Sequence, residues 1–207
     1  MDYARPIEAV IPGVQGRVLG VLARTEAEMT IRTAARLAGV SAQQATVVVG
    51  RLVDLGLVTR REAGSAALVA LDRENDAASA VLALAGLHRS TMGRLADLAR
   101  AILPAPASLV VFGSFARSEA TAESDLDVLV VRAAEVAAHD EPWLDALGSW
   151  ERAARHVTGN QVELLVVGVE DVPTLLRRGD QGGLWPAIEA EGVTLAGTPL
   201  VELAATA

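Results

Sequence analysis

Two aspartates one residue apart, Asp125 and Asp127, stand at the entrance of a run that is otherwise apolar, "SDLDVLVV". On a strand the side chains alternate, so both carboxylates share one face and Leu126 takes the other. Like charges placed side by side repel unless a cation lies between them. Mg2+ suits that position, because it takes one or two carboxylates and leaves the rest of its shell to substrate phosphate oxygens. Upstream, "SLVVF" reads as a buried strand and Gly113-Ser114 opens the turn after it. A glycine there lets backbone N–H groups approach an oxyanion, and the Ser114 hydroxyl adds a donor. The next residues, "FARSEA", read as a short helix whose N-terminus favours phosphate, with Arg117 suited to a phosphate oxygen. An isolated Asp-x-Asp is more often a strand cap. The Gly-Ser turn, the gap and the second buried strand together point instead to a metal beside a phosphate cradle.

The whole pattern, Gly113-Ser114 followed by Ser124-Asp125-Leu126-Asp127, resembles the DNA polymerase β-like nucleotidyltransferase superfamily. It is most similar to the minimal prokaryotic nucleotidyltransferases and their aminoglycoside-modifying relatives. The strong match spans residues 108–131, and the fold would extend to about residue 170. The resemblance implies that Gly113, Ser114, Arg117 and Ser124 hold an NTP, with ATP the donor the family suggests. It also implies that Asp125 and Asp127 bind two Mg2+ ions and that a third carboxylate lies on a later strand. "GNQVELLVVG" is the next convincing strand, and Glu163 is the acid within it, the candidate general base or third metal ligand. The commonest pattern has Asp there, so a Glu alters the reach by one methylene. An outward-facing Glu on an edge strand is the alternative.

The first third of the chain has a different pattern. Apolar residues recur at helical spacing from Ile11 to Arg24. A short helix around Ala34 to Ala38, a turn at "AGVS" with Ser41 as N-cap, and a second helix running to Leu55 follow, with Gly56 ending it. Two β-type runs, "LVTRR" and "AALVAL", flank the turn-like "EAGS". This order resembles the winged helix-turn-helix of bacterial regulators over residues 12–72. In that family the second helix enters the major groove. Carried onto this sequence, Ser41, Gln43, Gln44 and Thr46 are candidate base readers, and Arg51, Arg60 and Arg61 are candidate phosphate contacts. The helix carries only Arg51, opposed by Asp54, so a module for dimerisation or protein docking is the other reading.

Between the two modules, "AASAVLALAGLHRSTMGRLADLARAIL" places Val81, Leu84, His88, Met92, Leu95, Leu98 and Ile102 at three- and four-residue spacing, the pattern of one long amphipathic helix. Pro104 and Pro106 end it. His88 reads as a packing residue, and no histidine has metal-binding spacing. The C-terminal stretch reads as two helices separated by "GDQGG"; Arg177 and Arg178 reach either phosphate or a helix end. Trp143, Trp150 and Trp185 read as packing residues.

Charge divides along the same line. Residues 1–73 carry nine Arg and seven acids (9 − 7 = +2), and residues 74–207 carry nine Arg and nineteen acids (9 − 19 = −10). Such a split predicts two modules with different partners. None of the 18 basic residues is Lys, a habit of composition rather than a mechanism. The absence of Cys excludes disulfides and thiolate chemistry. No apolar run approaches the ~18 residues of a membrane span, and the N-terminus lacks a secretory pattern. The expectation is a cytoplasmic, homodimeric α/β (α+β) protein. It comprises a winged helix-turn-helix (1–75), a connecting helix (76–106) and a polymerase β-like nucleotidyltransferase fold with a mixed sheet (107–207). It would transfer an NMP to a hydroxyl acceptor, with a helical toxin partner as one candidate, and bind duplex DNA. The rival is a regulator whose nucleotidyltransferase-like domain senses nucleotide without turnover. An antibiotic-modifying enzyme is a third option.

Overall fold

The structure, a computed structural model, describes residues 1–207 except Ser65, residues 178–182 and Ala207. It divides into two compact units, one of Arg5–Leu87 and one of Met1–Ala4 with His88–Ala207.

The first unit holds α1 (Pro6–Val10), α2 (Val14–Ala23), β1 (Met29–Thr30), α3 (Ile31–Leu37), α4 (Ala42–Asp54), β2 (Val58–Ala63), β3 (Ala66–Leu71) and α5 (Asp76–Ala85). The helical reading from Ile11 begins three residues later, because Gly13 takes φ +86° ahead of α2. Ser41 caps α4 as its position predicted. Its hydroxyl accepts from the Gln44 backbone N–H while the Gln44 side chain accepts from the Ser41 N–H, a reciprocal pair that satisfies two end groups. At the other end Gly56 sits at φ +69°, the Leu57 N–H reaches the Leu52 carbonyl and the Gly56 N–H reaches that of Val53. Only a left-handed residue permits that closure. The β2–β3 hairpin runs from Val58↔Leu71 to Ala63↔Ala66, so Glu62 and Ala63 of the expected turn belong to the strand, and β1 pairs with β3. Ser65 of that turn lies outside the described residues. Val18, Leu22, Ala45, Val49, Leu52 and Val69 form the core, joined by Ala78 and Val81 of α5.

The second unit begins with α6 (Leu87–Ile102, its first residue still in the first unit) and continues with β4 (Ser108–Phe112), α7 (Gly113–Ala116), β5 (Leu126–Arg132), α8 (Glu141–Thr158) and β6 (Val162–Gly168). It ends with a 3-10 turn at Val169–Asp171, α9 (Val172–Arg177), α10 (Leu184–Glu191), β7 (Val193–Gly197) and α11 (Leu200–Thr206). The expected single connecting helix is two, separated at Gly86, whose missing Cβ lowers helix propensity. The apolar spacing runs through the break. However, α5 buries Ala78 and Val81 in the first core, whereas α6 buries Thr91, Met92, Leu95 and Ala99 in the second unit.

The sheet order is β6-β5-β4-β7, with β5 parallel to β6 and β4 antiparallel to both β5 and β7. This is the mixed sheet that was expected. β7 is an addition, because the C-terminal stretch carried only a short apolar alternation between Gly192 and Gly197. Val110, Leu129 and Val131 on one face pack with Val172, Ile188 and Leu200 of α9, α10 and α11. α8 packs on β6, and its buried Trp150 donates an indole N–H to the Leu95 carbonyl. Trp143 and Trp150 are fully buried and Trp185 is packed against the core, as their reading as packing residues implied. Among the described residues no helix is long and apolar enough to cross a membrane.

Candidate functional site

The site forms where α7 meets β4 and β5, with β6 alongside β5. Gly113 ends β4 and turns the chain with φ +67°. Its Cα faces the Asp127 carboxylate so closely that a Cβ would stand 2.5 Å from Asp127 Oδ2. The register explains this: Asp127 is the antiparallel partner of Phe112, one residue before the turn. On its other side Asp127 is the parallel partner of Glu163. Asp127 and Glu163 line one cleft of about 320 Å3 with Phe112, Leu164, Leu165 and Leu184. Glu163 is exposed and lies on an edge strand, yet this cleft is the one it shares with Asp127.

Alternation sets the surroundings of Asp127. Leu126 and Val128 are fully buried, while Asp127, half-buried, heads a face that continues through Leu129 and Val131 into the core under α9–α11. Burial raises the Asp127 carboxyl above its ordinary value of 3.8, the charges of Glu163 and Asp125 raise it further, and Arg117 opposes them. Two further acids therefore act on Asp127 here. Among the described residues no group of three His, Cys, Asp or Glu side chains stands close enough to hold an ion by itself. The donor set fits a hard divalent cation held by one or two carboxylates, with substrate oxygens completing its shell. It does not fit a closed all-protein cage.

The loop that delivers Asp125 is held by a residue that sequence reasoning missed. Asn160, 3% exposed, donates from Nδ2 to the carbonyls of Thr121 (2.9 Å) and Ser124 (2.7 Å). It follows Gly159, whose left-handed φ of +72° ends α8. An Asn directly after a helix-ending Gly was the available signal. The Ser124 hydroxyl accepts from the Thr121 N–H at 2.9 Å, so it is engaged within this loop. Ser114 lies in α7 next to Gly113, half-buried.

Arg117 is not poised for phosphate alone. Its Nε donates to Glu119 at 2.8 Å and its Nη1 to Glu191 at 2.7 Å, and these two carboxylates raise the guanidinium pKa. A phosphate would have to share the guanidinium with these two carboxylates or displace one of them. His88 braces the same turn. Its Nε2 lies 2.6 Å from the Phe115 carbonyl, which can only accept, so Nε2 carries the proton, and Nδ1 lies 3.2 Å from Ser118 Oγ. Ser118 has φ +59°, the single positive φ outside glycine among the described residues. Arg177 lines a separate cleft with Pro173, Leu176 and Glu189, and Arg178 lies outside the described residues.

In the winged unit the expected readers divide. Ser41 and Gln44 spend their side chains on the cap of α4, and Thr46 Oγ1 donates to the Ala42 carbonyl at 2.8 Å. Gln43 and Arg51 are exposed on α4, as is the apolar Val47. Arg60 pairs with Glu62 and Arg61 with Glu28, all on the surface.

The MarR family matches residues 11–67, and the family described as "Putative nucleotidyltransferase DUF294" matches residues 61–156. The chain thus joins a MarR-like winged helix-turn-helix domain to a nucleotidyltransferase-like domain. The second match ends before β6, so Glu163 stands outside it. No curated protein matches the chain. Among solved structures, a toxin–antitoxin with AMP-PNP aligns at 19% identity over 56% of this chain and 82% of its own, with a TM-score of 0.38. Two mutants of the MntA–HpeT toxin–antitoxin align at 17% and 20% identity, over 56% and 55% of this chain and 81% and 79% of theirs, with TM-scores of 0.37 and 0.35.

Proposed function

We propose that the chain transfers an NMP from an Mg2+-bound NTP, with ATP the expected donor, to a hydroxyl acceptor. The observation that carries this reading is the convergence of Gly113, Asp127 and Glu163. A left-handed glycine clears room for a carboxylate that a second carboxylate flanks in register. Asp125 and Asp127 would hold the divalent ions, two in the expected site, which supply charge neutralisation at the phosphates. Ser114 and the backbone of the Gly113 turn orient the triphosphate, and Arg117 joins them by sharing its guanidinium with phosphate or exchanging a carboxylate for it. Glu163 takes the acceptor proton. The acceptor oxygen bonds to the α-phosphorus, the α–β anhydride breaks, and pyrophosphate leaves. Asn160 keeps the Ser124–Asp125 loop in place.

The acceptor we favour is a hydroxyl on a partner protein, as the resemblance to minimal nucleotidyltransferases suggests, in a toxin–antitoxin pair. The winged unit binds duplex DNA, and the protein acts in the cytoplasm as a homodimer. Incubating the purified protein with labelled ATP, Mg2+ and host lysate tests this. Label on an acceptor with wild type and none with Asp127→Asn supports transfer. A second reading, a nucleotide sensor without turnover, is favoured by the two carboxylates on Arg117. It would give NTP-dependent DNA affinity and no labelled product.

A further inference from the structure

The first four residues belong to the unit that carries the mixed sheet, although all of Arg5–Leu87 intervenes before the chain returns to it. Tyr3 is the anchor of that segment, at 4% exposure. Its backbone N–H and that of Ala4 both donate to the Ala120 carbonyl, at 2.8 and 3.0 Å. Its ring packs on Phe115 with centroids 5.0 Å apart and meets His88 edge-on at 6.5 Å. Its hydroxyl donates to the Thr158 carbonyl at 3.2 Å. Each partner belongs to a different part of the site. Phe115 lies in α7 after the Gly-Ser turn, Ala120 opens the loop that ends at Asp125, and Thr158 ends α8 two residues before Asn160.

We propose that Tyr3 is a positioning residue for nucleotidyl transfer, a proposal that rests on the reading of the site given above. It ties the phosphate turn at Gly113-Ser114 to the loop that delivers Asp125, without lining the cleft itself. Residues 117–125 contain no regular element, so their position depends on such ties. Asn160 holds the loop at Thr121 and Ser124. The backbone N–H groups of Tyr3 and Ala4 hold its start at Ala120, and the Tyr3 ring anchors that segment on Phe115 of α7. A shift of about 1 Å between reacting groups lowers rates about 100-fold, so a looser tie registers in turnover before it registers in folding.

The test compares wild type, Tyr3→Ala and Tyr3→Phe as full chains, reading label transfer and amide hydrogen exchange. For Tyr3→Ala we expect kcat to fall by about 100-fold and far more than KM for ATP changes. Exchange should quicken over Ser118–Asp125 and stay unchanged in β4 and β5. Tyr3→Phe, which keeps the ring, should recover most of the rate. If Tyr3→Ala does not fold, Tyr3→Leu is read in the same way. Unchanged kcat and exchange in Tyr3→Ala, while wild type transfers label, overturn the role of Tyr3 alone. Exchange that quickens equally in β4 and β5 overturns it too, since that marks a purely structural residue. A wild type that transfers nothing, even though Tyr3→Ala loosens the loop, overturns the transferase reading and this role with it.

Discussion

Asp127 and Gly113 are in contact across the β4–β5 register, with the Asp127 carboxylate occupying the space that a side chain at position 113 would fill. Both halves of the motif therefore depend on one glycine. Gly113→Ala would force a Cβ to within 2.5 Å of Asp127 Oδ2 and hold an alanine at φ +67°. The left-handed conformation alone costs about 1–2 kcal/mol for a residue with a Cβ. We expect urea unfolding to show at least that loss, and transfer to fall more than stability does, because the carboxylate must move. A variant with wild-type turnover would show that Asp127 need not sit against the turn.

The raised Asp127 carboxyl links the site to pH. A carboxyl whose pKa is higher folded than unfolded binds its proton more tightly in the folded state, so ionising it destabilises the fold. The destabilisation is absent below the unfolded value of about 3.8 and grows as pH rises through the raised folded value. Asp127→Asn removes it. The variant should therefore unfold at a higher temperature than wild type at pH 7, with the gap closing as pH is lowered toward 4. Mg2+ should narrow the gap at pH 7 by stabilising wild type more than the variant. An equal response of both proteins to Mg2+ would argue against a metal at Asp127.

What could be read in advance followed from short-range rules. Strand alternation put Asp127 between the buried Leu126 and Val128, and Ser41 and Gly56 marked the ends of α4, because each of these effects acts within a few residues. Asp125 lies in the loop just before β5, where alternation does not reach. Asn160 and Tyr3 escaped notice because they act through backbone carbonyls far away in sequence, at Thr121, Ser124, Ala120 and Thr158. Gly86 was hidden by an apolar spacing that continues through it and serves a different core on each side. The pairings of Arg61 with Glu28 and of Arg117 with Glu191 were hidden for the same reason as Asn160 and Tyr3, whereas Arg60 with Glu62 and Arg117 with Glu119 lie two residues apart, within reach of a short-range rule.

Those pairings alter what the wing should do. Arg61 is held by Glu28 and Arg60 by Glu62 through Nε and Nη2, so a DNA phosphate must either share the guanidinium with a carboxylate or displace it. If they contact phosphate, changing both to Ala should weaken binding to every duplex alike and reduce the salt slope by about 0.9 for each phosphate no longer neutralised. Glu28→Gln should do the reverse and raise affinity a few-fold by freeing Arg61. Gln44→Ala is not a clean test of base reading, because it removes half of the cap on α4 and should cost up to about 1 kcal/mol of stability. Gln43→Ala is the better probe. Band shifts on the protein's own upstream DNA at two salt concentrations measure all of these, and no shift at low salt would favour the docking-module reading.

Glu163 separates an enzyme from a sensor. It is the register partner of Asp127 and lines the same cleft, but it is exposed on an edge strand, so its backbone has no sheet partner on one side. Glu163→Gln keeps length and shape and removes only the charge that would take the acceptor proton. If Glu163 is the general base, transfer should fall by about 100- to 10,000-fold while ATP affinity changes little, since the proposed seat of the triphosphate is the Gly113 turn. Removing its charge should also relieve Asp127, whose carboxyl would move back toward its ordinary range. Transfer should then stay low at saturating Mg2+, because more metal does not replace a missing base. A metal ligand without a base role predicts a different pattern, with Mg2+ affinity and transfer falling together and excess Mg2+ restoring the rate. A sensor predicts a third, in which neither protein yields labelled product and the substitution alters only nucleotide-dependent DNA affinity. Measuring label transfer at low and saturating Mg2+, beside ATP and DNA binding, distinguishes the three. We expect the first pattern, because Asp127 already has Gly113 and the charge of Asp125 beside it, and Glu163 is the other carboxylate among the described residues that line the cleft.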